Sequence, residues 1–321
     1  MSPRVAGGCI GNKPVALACG RMEHLLPLAI LLAVCIAFPI GLAWRIAKLD
    51  EASRGAWALK AADSLLFFGL ILLVGRWDIA GLWTRAVLVV LVLLAFAASW
   101  WRHARRPWAL VRPLWRAHGV TLVSLVFYAT AFGYLAVGLA PAGSPTSLAF
   151  PLEGGRFMVA QGGNRTLLNH HHAHRRQRHA SDIVAVGPAG FRAIGAAPAD
   201  LSRYVVHGAK VVSPCTGTVA SVRDGLPDLA PPRRDKANAS GNHIVIRCDA
   251  LQVELAHLRQ GSVVHKAGDA VTVGQRVGAV GNSGNTTEPH LHIHAVDAVT
   301  GEAAEIAFDG EVPVRNRIFE R

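Results

Sequence analysis

Apolar and polar positions divide this chain into two unlike parts. Before Pro141 the sequence contains long apolar stretches, which we place at residues 24–44, 58–75, 82–101 and 120–140. A helix of about 20 residues crosses a bilayer core, so each stretch predicts a transmembrane helix. The second stretch is the least typical, because Lys60 and Asp63 fall in its first turns. We therefore expect an N-terminal tail at residues 1–23 and an α-helical transmembrane region at residues 24–140.

The pattern changes after a linker rich in proline, glycine and serine, which we place at residues 141–155. Short segments such as residues 217–222 and 243–247 alternate apolar and polar side chains, contain β-branched residues and end at glycine turns. This pattern is typical of antiparallel strands. Residues 156–321 are therefore predicted to form a mainly antiparallel β domain.

The charge of the chain supports the same division. The formal net charge is +12; residues before Thr146 contain 14 basic and 5 acidic side chains, a net of +9, which leaves +3 for the rest. A high isoelectric point usually raises nucleic acid as a partner. Here the excess lies between predicted spans, where basic residues report topology instead, and we expect no nucleic-acid partner.

The basic loops predict the orientation. Residues 45–60 and 102–116 are rich in lysine and arginine and should be cytoplasmic, whereas residues 141–155 contain neither. The fourth span should therefore deliver the β domain to the outside. An even number of spans also places the basic N-terminus outside, and translation that begins at Met22 would remove this conflict.

The cysteines argue against a cysteine-based metal site, because no pair is spaced as Cys-x-x-Cys. Cys215 and Cys248 both fall in predicted strands of the β domain. They can pair if this domain faces an oxidising compartment. Two unpaired buried thiols are the alternative.

A pair of histidines is the first chemical signal. In His290-Leu291-His292 the two imidazoles are two residues apart, so on a strand they point to the same side. Such a pair alone is weak evidence of a site. Its surroundings strengthen it: Pro289 precedes the pair, His257 lies upstream between Ala256 and Leu258, and a histidine-rich cluster occupies residues 169–182.

Several motifs in one order carry a resemblance to a known family. Over residues 169–295 the chain resembles the lysostaphin/LytM-type zinc metallopeptidases, which are peptidoglycan endopeptidases. The motifs are Gly217-Thr218-Val219, Gly241-Asn242-His243-Ile244-Val245, Ala256-His257-Leu258, the glycine-rich run from Val271 to Gly284, and Pro289-His290-Leu291-His292. The resemblance implies one zinc ion, held by a histidine and an aspartate of a first motif and by His292, with His257 and His290 as catalytic residues.

The first motif departs from the family pattern, in which three residues separate the histidine from the aspartate. Arg178 stands at that place before Asp182, and His179 is one residue too close. We favour His171 with Asp182 as the metal ligands. His179 is the main alternative, and His170 and His172 are lesser candidates.

Two histidines and one aspartate leave a tetrahedral zinc with an open position, as in catalytic sites. His290 would be the general base or orient the water, and His257 would stabilise the oxyanion or protonate the leaving amine. The resemblance implies hydrolysis of peptide bonds in peptidoglycan by a multi-pass protein of the bacterial inner membrane, with its C-terminal domain in the periplasm. A non-catalytic module that regulates other cell-wall hydrolases, and a transporter with a periplasmic cap, are the alternatives.

Overall fold

The computed structural model describes residues 26–110 and 113–321. The predicted tail at residues 1–23, with its cysteines and the proposed start at Met22, lies outside the described residues, as do the first two residues of the first predicted span.

The N-terminal part of the described chain contains four helices that are long and apolar enough to cross a membrane. Their number agrees with the prediction. They are α1 (Leu26–Lys48), α2 (Arg54–Val74), α4 (Leu82–His103) and α5 (Leu114–Leu139), and the single turn α3 (Trp77–Ala80) lies between α2 and α4. Between 6% and 33% of each apolar window is buried, so most of this apolar surface is available to lipid. Helix α5 begins six residues before the predicted span, because the chain is already helical ahead of a kink at His118.

The two basic loops lie together at one end of the helices. The amide of Arg54 donates to the Pro107 carbonyl at 3.0 Å, and Arg106 forms an ion pair with Asp50 at 2.6 Å. The connection between α2 and α4 lies at the other end, where it contacts the β domain. The loops predicted to be cytoplasmic therefore lie away from the β domain.

The C-terminal part is the predicted mainly antiparallel β domain. Its strands are β1 (Thr146–Leu148), β2 (Arg156–Gln161), β3 (Ser181–Ala185), β4 (Lys210–Val212), β5 (Gly217–Arg223), β6 (Asn242–Cys248), β7 (Leu251–Leu258), β8 (Ala270–Val271), β9 (Arg276–Ala279), β10 (Leu291–Asp297), β11 (Ala303–Ala304), β12 (Ile306–Phe308) and β13 (Ile318–Glu320). The main sheet of the described residues has nine strands in the order β13-β2-β3-β10-β7-β6-β5-β8, with β11 also paired to β10. Strand β4 pairs with β9, and β1 pairs in parallel with β12.

Strand β1 lies inside the range predicted as a linker. Its alternating apolar side chains continue into the following residues, so that Leu148, Phe150 and Leu152 are all buried in the core of the β domain. Cys215 and Cys248 form a disulfide, which resolves the two alternatives left by the sequence.

A second hydrophobic cluster joins the two parts of the protein. Met158 of β2 and Val184 of β3 belong to the same cluster as Trp77 of α3 and residues of α1, α2 and α4. Each of these three side chains is at most 1% exposed. The helices and the β domain therefore share a packed interface.

Candidate functional site

Strand pairing assembles one side of the site. Strand β10 lies between β3 and β7, and its register places His292 beside Asp182 on β3 and Ala256 on β7. Because side chains alternate across a strand, His292 and His294 share one face of β10, and His290, which directly precedes the strand, lines the same cleft as His292. Backbone hydrogen bonds thus fix where these histidines lie relative to Asp182.

A short turn supplies the other side. Asn169, which is fully buried, caps the N-terminus of the 3-10 turn His170–Ala173. The Asn169 side-chain oxygen accepts from the His171 amide at 3.1 Å, and its Nδ2 donates to the carbonyls of Ala180 and Gly163 at 2.9 and 3.1 Å. This single side chain ties the turn to the beginning of β3. As a result, His171 Nε2 lies 3.0 Å from both carboxylate oxygens of Asp182.

Nitrogen donors from both sides meet at the Asp182 carboxylate. His292 Nδ1 lies 2.9 Å from Asp182 Oδ1, and His290 Nε2 lies 3.5 Å from the same atom. The ligand atoms of His170, His171 and Asp182 also lie within 4.8 Å of one another. Two sets of possible metal ligands therefore share His171 and Asp182. Buried His292 completes one set, and the more exposed His170 completes the other. Imidazole nitrogens and a carboxylate are the donors that zinc prefers, so either set fits this metal.

The charges around Asp182 favour its ionised form. Burial by itself would raise the pKa of the carboxyl, but His290 and His171 hold this pKa well below its usual range. Burial lowers the pKa of His292 despite the hydrogen bond with Asp182. Burial also opposes protonation of His290, yet the neighbouring Asp182 raises the pKa of that imidazole above its ordinary value. The site thus combines a carboxylate with a neutral His292, as a cation site requires.

His257 stands at the end of β7 in an uncommon backbone conformation, with a φ of +61°. Its amide donates to the Ser240 carbonyl at 3.0 Å, and its Nδ1 donates to the Ser283 carbonyl at 2.9 Å. Gly241 is needed for this arrangement, because a Cβ there would lie 2.2 Å from the Ser283 carbonyl oxygen. Burial, together with His290 and His292, lowers the pKa of His257 well below its ordinary value.

His290 faces His257 across the site, with 4.9 Å between the ring centroids. Its Nδ1 donates to the Glu288 carbonyl at 2.9 Å. In both rings Nδ1 therefore carries the proton of the neutral form, and Nε2 is left as an acceptor. Both rings line a cleft of about 490 Å³, and its other lining residues include His171, His292, Arg76 and Arg234.

The remaining histidine candidates make other contacts. His179 Nδ1 lies 2.8 Å from Asn164 Oδ1, away from the contacts that surround the Asp182 carboxylate. His172 Nδ1 is buried without a hydrogen-bond partner among the described residues. The structure thus brings His171, rather than His179, against Asp182.

Two residues that the sequence interpretation missed stand behind His292. His292 Nε2 lies 3.2 Å from His294 Nδ1, and His294 pairs across the strands with half-buried Glu254. The signal for His294 was present, because it continues the alternation of His290 and His292 by one step. Arg76, which reaches the cleft from the helical part, has no comparable signal in the sequence.

Comparison with known proteins gives one family match. Residues 202–303 match Peptidase family M23, a range that contains His257, His290 and His292 but neither His171 nor Asp182. No curated protein matches the chain.

Three solved structures illustrate the structural similarity. Lysostaphin from Staphylococcus simulans is 18% identical, with 39% of this chain and 40% of that chain covered and a TM-score of 0.26. A zinc-containing peptidase from Vibrio cholerae is 22% identical, with 39% and 45% covered and a TM-score of 0.24. A putative peptidase M23 from Pseudomonas aeruginosa is 15% identical, with 56% and 58% covered and a TM-score of 0.29. The chain thus spans about half the length of these proteins.

Proposed function

We propose that this protein is a membrane-anchored zinc metalloendopeptidase that hydrolyses peptide bonds of peptidoglycan. The proposal starts from the match of residues 202–303 to Peptidase family M23. One observation carries the proposal. His171, Asp182 and His292 converge on one point of a cleft, with the imidazoles of buried His257 and half-buried His290 beside it.

His171 Nε2, the Asp182 carboxylate and His292 Nδ1 would hold the metal. The fit rests on the donor set, since a buried, ionised carboxylate lies within 3.0 Å of two imidazole nitrogens from different elements. When bound, zinc acts as a Lewis acid that polarises a carbonyl and lowers the pKa of water. His170 is the alternative third ligand.

His257 and His290 would move the protons. Each neutral ring holds its one N–H on a backbone carbonyl, so each first acts as an acceptor at Nε2 and donates only after protonation. Burial favours neutral His257, so we assign His257 as the first proton acceptor. His290, which faces His257 across the site, is then the donor to the leaving amine after it has gained a proton, the reverse of the assignment expected from the sequence.

We further propose that the β domain lies in the periplasm of a bacterium and that the four apolar helices span its inner membrane. Two features support this location. The disulfide between Cys215 and Cys248 suits an oxidising compartment. The basic loops lie at the opposite end of the helices, as positive-inside topology requires.

Digestion of purified peptidoglycan by the full chain in detergent, with product masses determined, tests the function. We expect new peptide fragments from the wild type and none from Asp182→Ala. His265→Ala is the control, because His265 contacts Asp269 outside the cleft. If the wild type and Asp182→Ala leave the same fragments, the hydrolase proposal fails. Binding of peptidoglycan without cleavage would instead support the regulatory module.

A further inference from the structure

The connection between α2 and α4, residues 75–81, is built into the wall of the candidate site. Trp77 is completely buried in the cluster shared with β2 and β3. The Leu82 amide donates to the Gly190 carbonyl at 2.8 Å, and the Arg192 amide donates to the Asp78 carbonyl at 2.9 Å. Arg76 lines the cleft itself. A connection that served only as a flexible tether would make none of these contacts with the β domain.

A buried network of four charges crosses this interface. From the connection, Arg76 binds Asp78 through two hydrogen bonds of 2.7 and 2.8 Å, and its Nη2 lies 3.2 Å from Glu288 Oε1. From the β domain, Arg192 Nε donates to Glu288 Oε2 at 2.9 Å. None of the four side chains is more than 19% exposed. Two positive and two negative charges compensate one another here, so the loss of one leaves the network with an uncompensated charge in largely buried surroundings.

Glu288 connects this network to the proposed chemistry. Its carbonyl accepts hydrogen bonds from His290 Nδ1 at 2.9 Å and from the Thr286 hydroxyl at 2.7 Å. The carboxylate of the same residue is held by Arg76 and Arg192. A shift of Glu288 would therefore displace the acceptor that orients the His290 ring.

A second link reaches the histidine turn from the end of α2. Arg315 donates to the Val74 carbonyl at 2.9 Å, to the Leu168 carbonyl at 2.9 Å and to Gln161 Oε1 at 2.6 Å. Gln161 Oε1 also accepts from the His170 amide at 3.3 Å. The same end of α2 is thus tied to both sides of the site.

We infer that residues 75–81 are a structural part of the active site and that Arg76 is a positioning residue, which orients His290 through Glu288. This inference rests on the proposed function for its catalytic meaning. The helical part then does more than anchor the β domain, because it supplies a residue that determines the geometry of the site.

Hydrogen exchange and kinetics of the full chain in lipid nanodiscs test this role. In Arg76→Gln we expect amides of residues 284–292 to exchange about tenfold faster than in the wild type, while the rest of the main sheet is unchanged. With peptidoglycan as substrate, we expect kcat to fall about 30-fold and KM to change less than about threefold, because orientation is lost and binding is retained. Arg76→Lys, which keeps the charge, should lose only about fivefold in kcat.

Arg317→Gln is the matched control, because it removes an arginine from the exposed ion pair with Glu311. The double variant Arg76→Gln/Glu288→Gln should lose no more activity than the larger single loss, since both residues act through one network. The inference is overturned if Arg76→Gln matches the control in exchange and in kcat, or if its faster exchange spreads over every strand. A wild type that cleaves no peptidoglycan would defeat the proposed function, whereas the exchange measurement would still decide whether residues 75–81 hold residues 284–292.

Discussion

Strands and a turn supply the two sides of the candidate metal site, and they hold their side chains in different ways. Asp182 and His292 lie opposite each other on β3 and β10, in a register fixed by backbone hydrogen bonds within a nine-stranded sheet of the described residues. His171 lies on a single 3-10 turn that the Asn169 side chain secures. The strand side is therefore resistant to side-chain changes around it, whereas the turn side depends on side chains, chiefly the buried amide of Asn169.

Removal of a strand ligand should have the largest effect. We expect Asp182→Ala or His292→Ala to abolish stoichiometric zinc and to reduce hydrolysis at least about 1,000-fold, because metal and water activation are lost together. Metal analysis of the purified full chain, alongside peptidoglycan digestion, measures both. His265→Ala should retain full zinc content. Zinc that persists in His292→Ala would assign the third ligand to His170.

The two histidines of the turn, His170 and His171, should differ in how much they contribute to zinc binding. We expect His171→Ala to weaken zinc binding about 100-fold or more, and His170→Ala less than about tenfold, because His170 is the more exposed of the two. Zinc titration with a competing chelator measures this difference. His179→Ala, which removes the contact with Asn164, should bind zinc as the wild type does. Equal losses in the His170 and His171 variants would contradict the proposed ligand set.

The residues behind the ligands provide a matched pair of variants. Outer partners of metal ligands typically contribute about 10–100-fold in affinity. We expect Asn169→Ala to weaken zinc binding about 50-fold, because the whole turn loses its anchor. His294→Ala should weaken zinc binding only about tenfold, because backbone hydrogen bonds of β10 with β3 and β7 still hold His292. Chelator competition at constant pH compares the two variants, and a larger loss in His294→Ala would reverse the comparison between turn and strand.

The pH dependence of zinc affinity should be the smallest of these effects. His290 has a raised pKa, so it gains its proton at a higher pH than an ordinary histidine and places a positive charge 3.5 Å from Asp182. Zinc affinity should therefore fall about threefold as the pH decreases from about 8 to 6.5, before the lowered pKa of His292 is reached. In His290→Gln this decrease should be smaller. A decrease of the same size in that variant would assign the proton to another group.

Much of the fold was accessible from the sequence, because it depends on composition and on local periodicity. The four apolar stretches predicted the four long helices, since about 20 apolar residues in a row suit few structures other than a spanning helix. Alternation and glycine turns predicted the β domain. The range assigned as a linker contains β1, because a strand of three residues that pairs with β12 has too short a pattern to be recognised.

The amino-acid sequence alone was enough to predict most of the candidate site, because the order of its motifs indicated His257, His290, His292 and Asp182. The sequence favoured His171 but left His179 open, and the three-dimensional fold shows that His171 lies against Asp182. That choice depends on how Asn169 folds the turn back onto β3, which no spacing reveals. The contact of Arg76 with Glu288 was equally inaccessible, because it joins residues 212 positions apart across the interface between helices and β domain.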